Sequence, residues 1–182
     1  MAEKYKCERK AHLKYQIKLL REKVEKIPET PNEIYGNPAF SDFRIQAGDE
    51  TFYVTKYQLA LKSKVFNRMF VSGMKEVDEG VVQIDDDPEA VGAMLKFLYL
   101  GKRVKGVEMA KNVVQLADRY EMTELKDQCE LELLDNLTVA GSQDAFIFAS
   151  QFQLSHLFLM ATALLYYNFK GFGNDKLEGR LP

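Results

Sequence analysis

Apolar residues recur at alternating spacings of four and three along residues 4–27, and the positions are Leu13, Ile17, Leu20, Val24 and Ile27. This spacing is typical of an amphipathic helix with an apolar seam. The seam has two interpretations that the sequence leaves open: it pairs with another helix in a coiled coil, or it lies on the domain that follows. Pro28 and Pro31 end the predicted helix.

From Asp42 the apolar pattern changes to a period of two, which is typical of a half-buried strand. Apolar and polar residues alternate over residues 43–47. Gly48-Asp49 predicts a tight turn, and residues 52–54 return as a second strand. A third short strand is predicted at residues 81–84. The sequence therefore predicts a small three-strand sheet.

Helical periodicity governs most of the remaining chain. Between the second and third strands it predicts a helical stretch from Leu59 to Phe70, followed by a polar loop over residues 73–80. Asp87 and Pro88 mark the start of the next helix, and Gly101 marks its end. Further helices are predicted at residues 107–120, 123–134, 138–152 and 154–169. The expected fold class is therefore α+β and mainly helical.

Candidate catalytic and metal-binding residues are sparse. The two histidines, His12 and His156, lie near opposite ends of the chain, so the globular middle lacks the histidine that a Ser-His-Asp or Cys-His nucleophile requires. Cys7 and Cys129 are too few for a disulfide framework or a structural zinc site. We therefore expect no enzyme, no cofactor and no metal, and a reducing location in the cytoplasm or nucleus.

Charge is unevenly distributed along the chain. Residues 1–27 contain nine Lys or Arg and four Glu, although the whole chain has a net charge of -2. A solvated helix face explains this basic segment, because no nucleic-acid motif accompanies it. The acidic residues 85–89 lack the spacing of a calcium loop, and negative charge is favourable at a helix N-terminus. We expect neither a nucleic-acid partner nor a metal here.

The longest apolar stretch, Leu157–Tyr167, is shorter than the roughly 20 residues that a membrane-spanning helix requires. A buried helix is the better interpretation, and we expect no membrane partner. Residues 171–182 are rich in glycine and polar residues, which predicts a flexible tail.

Several separated motifs together closely resemble a BTB/POZ domain. They comprise Ser41–Ile45, Phe52, Lys56, Leu59, Ala60, Ser63, Val65, Phe66, Met69, Phe70, residues 82–85, residues 97–101, residues 116–120, Leu125, Cys129 and Leu133. The chain departs from the family at Thr55, where histidine is usual, and at Gln58, where an apolar residue is usual. The resemblance implies a BTB/POZ fold with a C-terminal helical extension. It divides the chain into a helix and linker at 1–39, the BTB/POZ domain at 40–135, the helical extension at 136–170 and the tail at 171–182.

The chain looks most like the BTB half of speckle-type POZ, or MATH-BTB, adaptors of cullin-3 ubiquitin ligases. This resemblance implies a homodimer whose interface includes Tyr35, Phe40, Tyr57 and Leu61. It also implies that the apolar-any-Glu motif formed by Met74, Lys75 and Glu76 binds cullin-3. A flexible Met side chain can fill an apolar pocket, and Glu can accept hydrogen bonds that fix the register.

Two alternative functions remain open at this stage. Asp42 and Lys56 resemble a charged pair in the peptide-recruiting groove of repressor-type BTB domains, which suggests a transcriptional scaffold. Alternatively, the chain forms mixed dimers with longer adaptors and regulates them. The sequence contains no MATH, Kelch or zinc-finger domain, so the substrate is unknown, as is whether a substrate-recognition domain has been lost.

Overall fold

The computed structural model describes residues 2–27 and 35–172. In chain order its elements are α1 Ala2–Glu25, a short 3₁₀ helix Pro38–Phe40, β1 Phe43–Ala47, β2 Glu50–Val54, α2 Lys56–Lys62, α3 Lys64–Ser72, α4 Lys75–Glu79, β3 Val81–Ile84, α5 Pro88–Leu100, α6 Val107–Arg119, α7 Thr123–Asp135, α8 Ser142–Gln151 and α9 Ser155–Phe172. The predicted flexible tail falls almost wholly outside the described residues.

The predicted three-strand sheet is present, with strand order β2-β1-β3. The central strand β1 pairs antiparallel with β2 and parallel with β3. Its alternating residues Phe43, Ile45 and Ala47 are buried and the residues between them are exposed, as the period of two predicts. The second strand begins at Glu50, earlier than predicted, because Glu50 pairs with Ala47 directly across the turn.

The predicted helical stretch between the second and third strands consists of two helices, α2 and α3, that meet at Ser63. Ser63 has extended backbone angles, which end α2 and start α3. Its hydroxyl oxygen accepts a hydrogen bond from the Phe66 N–H at 3.1 Å and its O–H donates to the Tyr120 carbonyl at 2.6 Å. The buried Ser63 therefore caps α3 and connects it to the end of α6.

The prediction of a polar loop at residues 73–80 is wrong, because the segment contains the helix α4. Gly73 and Gly80 flank it with positive φ angles of 62° and 67°, which glycine adopts without steric cost. The helix is five residues long. So short a segment lacks the two turns of apolar repeat from which a helix is recognised in a sequence.

The start and end signals predicted for α5 are confirmed. The Asp87 carboxylate accepts a hydrogen bond from the Glu89 N–H at 3.3 Å, Pro88 occupies the first helical position, and Gly101 ends the helix with φ 66°. The buried residues of α5 lie at the centre of the core together with β1, α2, α3 and α6. The sequence signals and the core packing therefore agree on the bounds of this helix.

The C-terminal helices α8 and α9 pack against each other, and α9 also packs on α7. The first of them begins four residues later than predicted. Residues 138–141 form a turn instead, in which the Thr138 hydroxyl accepts a hydrogen bond from the Gly141 N–H at 3.1 Å. The second continues to Phe172.

The N-terminal helix α1 lies on α7 and α9 of its own chain. Leu20 and Val24 are buried and form a small cluster with Leu131 of α7, while Leu13, Ile17 and Ile27 are half-buried. Two residues of the seam, Leu20 and Val24, therefore pack within their own chain. Pro28 and Pro31 lie outside the described residues.

Candidate functional site

The apolar-any-Glu motif lies at the start of α4. Met74 is the N-cap residue, and its side chain is 51% exposed. Its carbonyl accepts a hydrogen bond from the Val77 N–H at 2.8 Å, and Val77 packs against the core. Glu76, in the first turn, is half-buried, and its charge is favourable at a helix N-terminus. The core contact of Val77 thus fixes a short helix that presents Met74 to solvent.

A second exposed apolar surface, named here the α2 face, comprises Phe40, Tyr57 and Leu61. Their side chains are 61%, 74% and 61% exposed. Tyr57 and Leu61 are one helical turn apart and therefore share one side of α2. The Asp42 carboxylate accepts a hydrogen bond from the Lys56 N–H at 2.7 Å, which brings the 3₁₀ helix that contains Phe40 to the start of α2.

The fourth residue of the predicted interface, Tyr35, is half-buried in the structure. Its ring packs against that of Tyr99, with 5.3 Å between ring centroids. Burial raises the pKa of the Tyr35 phenol, and the neighbouring Tyr99 raises it further. Tyr35 therefore contributes to packing beside α5 and exposes less surface than the three residues of the α2 face.

The two departures from the family pattern each have a hydrogen-bond partner on α5. The Thr55 N–H donates to the Tyr99 hydroxyl oxygen at 2.6 Å, and the Thr55 hydroxyl lies 3.2 Å from the same oxygen. The Gln58 side-chain amide donates to the Leu98 carbonyl at 2.8 Å. These polar residues attach the start of α2 to α5 without leaving a buried polar atom unsatisfied.

Asp42 and Lys56 meet through the Lys56 backbone, as described for the α2 face. The Lys56 ammonium nitrogen lies 5.6 Å from the centroid of the Phe43 ring. Thr55 is the N-cap residue of α2 but makes no side-chain capping bond. Asp42 therefore caps the N-terminus of α2, and its carboxylate is hydrogen-bonded within the domain.

Three polar side chains of α7 connect neighbouring segments, and no pattern in the sequence indicated them. The buried Gln128 amide accepts from the Val104 N–H at 2.8 Å and donates to the Val104 carbonyl at 3.0 Å. The Glu132 carboxylate accepts from the Gly106 N–H at 2.9 Å. Because these partners are distant in sequence, no local pattern could have indicated them.

The third of these side chains is that of Glu130, a buried residue of α7 whose carboxylate contacts the start of α9. One carboxylate oxygen accepts hydrogen bonds from the His156 and Leu157 N–H groups at 2.7 and 3.0 Å. The other oxygen lies 3.1 Å from His156 Nδ1. A carboxylate from one helix thus caps the N-terminus of another, where negative charge is favourable.

Within residues 2–27 and 35–172, no group of three or more His, Cys, Asp or Glu side chains is arranged to hold a metal ion. Cys129 is buried, and burial raises the pKa of its thiol far above the ordinary value, so the reactive thiolate is suppressed. No helix in the described part of the chain is long and apolar enough to cross a membrane.

Comparison with known proteins identifies the domain. A model of the BTB/POZ domain matches residues 32–137. Among solved structures, the BTB domain of zebrafish PATZ1 is similar at 23% sequence identity, and the match covers 54% of this chain and 78% of that chain with a TM-score of 0.47. BTB domains are protein-interaction modules that homodimerise and bind other proteins. Because the family match covers more than half of the 182 residues, this protein belongs to the BTB/POZ domain family.

Proposed function

We propose that the protein is a dimeric adaptor that binds a cullin-3 scaffold and supports ubiquitination of a substrate protein. The observation that carries this proposal is the exposed Met74 at the start of a helix that Val77 fixes to the core. Membership of the BTB/POZ family supports the dimer. The likeness to the speckle-type POZ adaptors, noted from the sequence, supports cullin-3 as the partner.

In this mechanism the chain contributes geometry and no catalysis. The two protomers associate through the α2 face, and each presents its own α4 to one cullin-3 molecule. The Met74 side chain enters an apolar pocket on the partner, and Glu76 accepts hydrogen bonds that fix the register. A substrate held on the same dimer is then close to the ubiquitin-charged enzyme, which raises its effective concentration.

The proposal is tested by the double variant Met74→Ala with Glu76→Ala. Truncation of an interface anchor costs about 2 kcal/mol or more, which is roughly a thirtyfold loss of affinity. Because Met74 is exposed, the melting temperature should remain close to that of the wild type. Affinity is measured by titration calorimetry against the N-terminal domain of cullin-3, and stability by thermal melting.

The matched control is the variant Asp144→Ala with Ile147→Ala on α8. Like the test variant, it removes one acidic side chain from the first turn of a helix and one exposed apolar side chain close to it, and we expect its cullin-3 affinity to equal that of the wild type. If the wild type shows no cullin-3 binding, the adaptor proposal is wrong. If the Met74 variant binds as well as the control, the partner stands and the motif is not its site.

The main alternative is a BTB dimer that recruits peptides or regulates longer adaptors without binding a cullin. The Asp42 carboxylate is occupied as the cap of α2, so this arrangement gives the peptide-recruiting groove no specific support. Capture of a MATH-bearing relative in a mixed dimer, together with absence of cullin-3 binding, would favour the regulatory function instead.

A further inference from the structure

The connection between α5 and α6, residues 101–106, concentrates positive charge on a short segment. Lys102, Arg103 and Lys105 are all exposed, and residues 101–106 are named here the basic loop. This positive charge is unusual for its surroundings, because the chain after residue 27 contains more acidic than basic residues. Lys102 directly follows the end of α5, where a cation is favourable. Arg103 and Lys105 lie further from that helix end and need another explanation.

Hydrogen bonds from side chains of α7 hold the backbone of the basic loop in place. Val104, at its centre, is 4% exposed, and both its N–H and its carbonyl bond to the buried Gln128 amide. The Gly106 N–H donates to Glu132. Glycines with positive φ angles, Gly101 and Gly106, flank the segment. The three cations are therefore displayed from a fixed backbone, which reduces the entropy lost when a partner binds.

The cations of the basic loop have no carboxylate within ion-pair distance in the described part of the chain. Two neighbouring carboxylates have other partners. Glu132 accepts from the Gly106 N–H and from the Asn136 side chain, and Glu108 pairs with Lys111. The positive charge of the loop is thus available to a partner.

We infer that the basic loop is a docking surface for an acidic segment of a partner protein. Arginine binds carboxylates in a bidentate manner, and lysine adds a point charge. Nucleic acid is the less suitable ligand because the loop contains no aromatic side chain on which bases could stack. This inference does not depend on the proposed function, since the loop shares no residue with α4.

The test uses the full chain and a fluorescein-labelled peptide of alternating Asp and Glu, with binding followed by fluorescence anisotropy. The variant Lys102→Glu, Arg103→Glu and Lys105→Glu reverses the three charges. At an ionic strength of about 0.05 M we expect its affinity to fall by at least about tenfold. Wild-type affinity should also fall as the ionic strength is raised to about 0.15 M.

The matched control reverses three exposed cations elsewhere, Lys14, Lys26 and Lys64, so its net charge equals that of the loop variant. We expect its affinity to stay within about twofold of the wild type. Equal losses in both variants would show that only net charge attracts the peptide and would overturn the inference. Tighter wild-type binding to single-stranded RNA of equal charge would also overturn it. Because cullin-3 does not enter this assay, the outcome is independent of the adaptor proposal.

Discussion

Two apolar surfaces in this protein, the seam of α1 and the α2 face, differ in how much of them solvent can reach. The seam of α1 is covered by its own chain, where Leu20 and Val24 are 5% and 1% exposed. The α2 face remains open, and Tyr57 is 74% exposed. Both stripes are apolar at helical spacing, so periodicity alone does not distinguish them. The difference teaches that, of these two surfaces, the α2 face leaves more apolar area for a second copy of the chain to bury.

The largest effect that this comparison predicts follows from placing negative charge on the α2 face. The variant Tyr57→Asp with Leu61→Asp should turn a dimer into a monomer, because each anchor contributes about 2 kcal/mol or more. We expect dimer affinity to fall at least about 100-fold. Sedimentation equilibrium over a range of protein concentrations measures the change.

The control for this variant is Tyr15→Asp with Leu19→Asp on the outward side of α1. These residues are also exposed, at 56% and 41%, and also one turn apart. We expect this control to remain dimeric. A wild-type protein that is monomeric at micromolar concentration would contradict the comparison itself.

Placing negative charge on the seam of α1 should instead lower the stability of the fold and leave the dimer intact. The variant Ile17→Asp with Leu20→Asp cannot keep α1 on α7 without burying charge, so we expect α1 to detach and the free energy of unfolding to fall by about 2–3 kcal/mol. Urea denaturation measures the loss, and limited proteolysis should show new cleavage at the lysines of α1.

The same outward pair on α1 serves as the control for stability, and it should unfold close to the wild type. If the Ile17 and Leu20 variant instead dissociates the dimer without losing stability, the seam belongs to an intermolecular coiled coil, and the intramolecular packing in the structure would not be the state in solution.

The smallest effect concerns the ion pairs that accompany α1. Arg21 makes two hydrogen bonds to Asp135, at 2.5 and 3.2 Å, and Lys23 pairs with Asp127. The Arg21 and Asp135 side chains are 45% and 43% exposed, so solvent and salt screen the pair. Arg21→Ala should lower the free energy of unfolding by less than about 1 kcal/mol in urea denaturation. A loss as large as that of the seam variant would mean that charge, and not the apolar stripe, holds α1.

Whether the sequence predicts a feature of the fold or the site depends on how far apart in the chain the interacting residues are. The strand β1 and the bounds of α5 follow from local patterns, namely alternation in residues 43–47 and the signals Asp87, Pro88 and Gly101. The short helix α4 was missed because five residues carry too little periodicity. The sequence marked Met74, Lys75 and Glu76 as a binding motif, which stays a prediction, but it did not indicate the helix that displays them.

Tertiary contacts account for what the sequence could not indicate. The seam of α1 was recognised, but the surface that covers it depends on Leu131, over a hundred residues further along the chain. Gln128 and Glu130 lie in a helix whose pattern suggested only an ordinary amphipathic segment. Their roles depend on Val104 and on the start of α9, and such distant partners leave no local signal.

The position of Glu130 has a consequence for how the molecule unfolds. Its carboxylate lies within the segment matched to the BTB/POZ family, yet the amides that it binds belong to α9, beyond residue 137. Local opening of either helix would break these bonds, so we expect α7 and α9 to unfold together. A fragment that stops at the family boundary would therefore lose part of its own stability along with the helices that it omits.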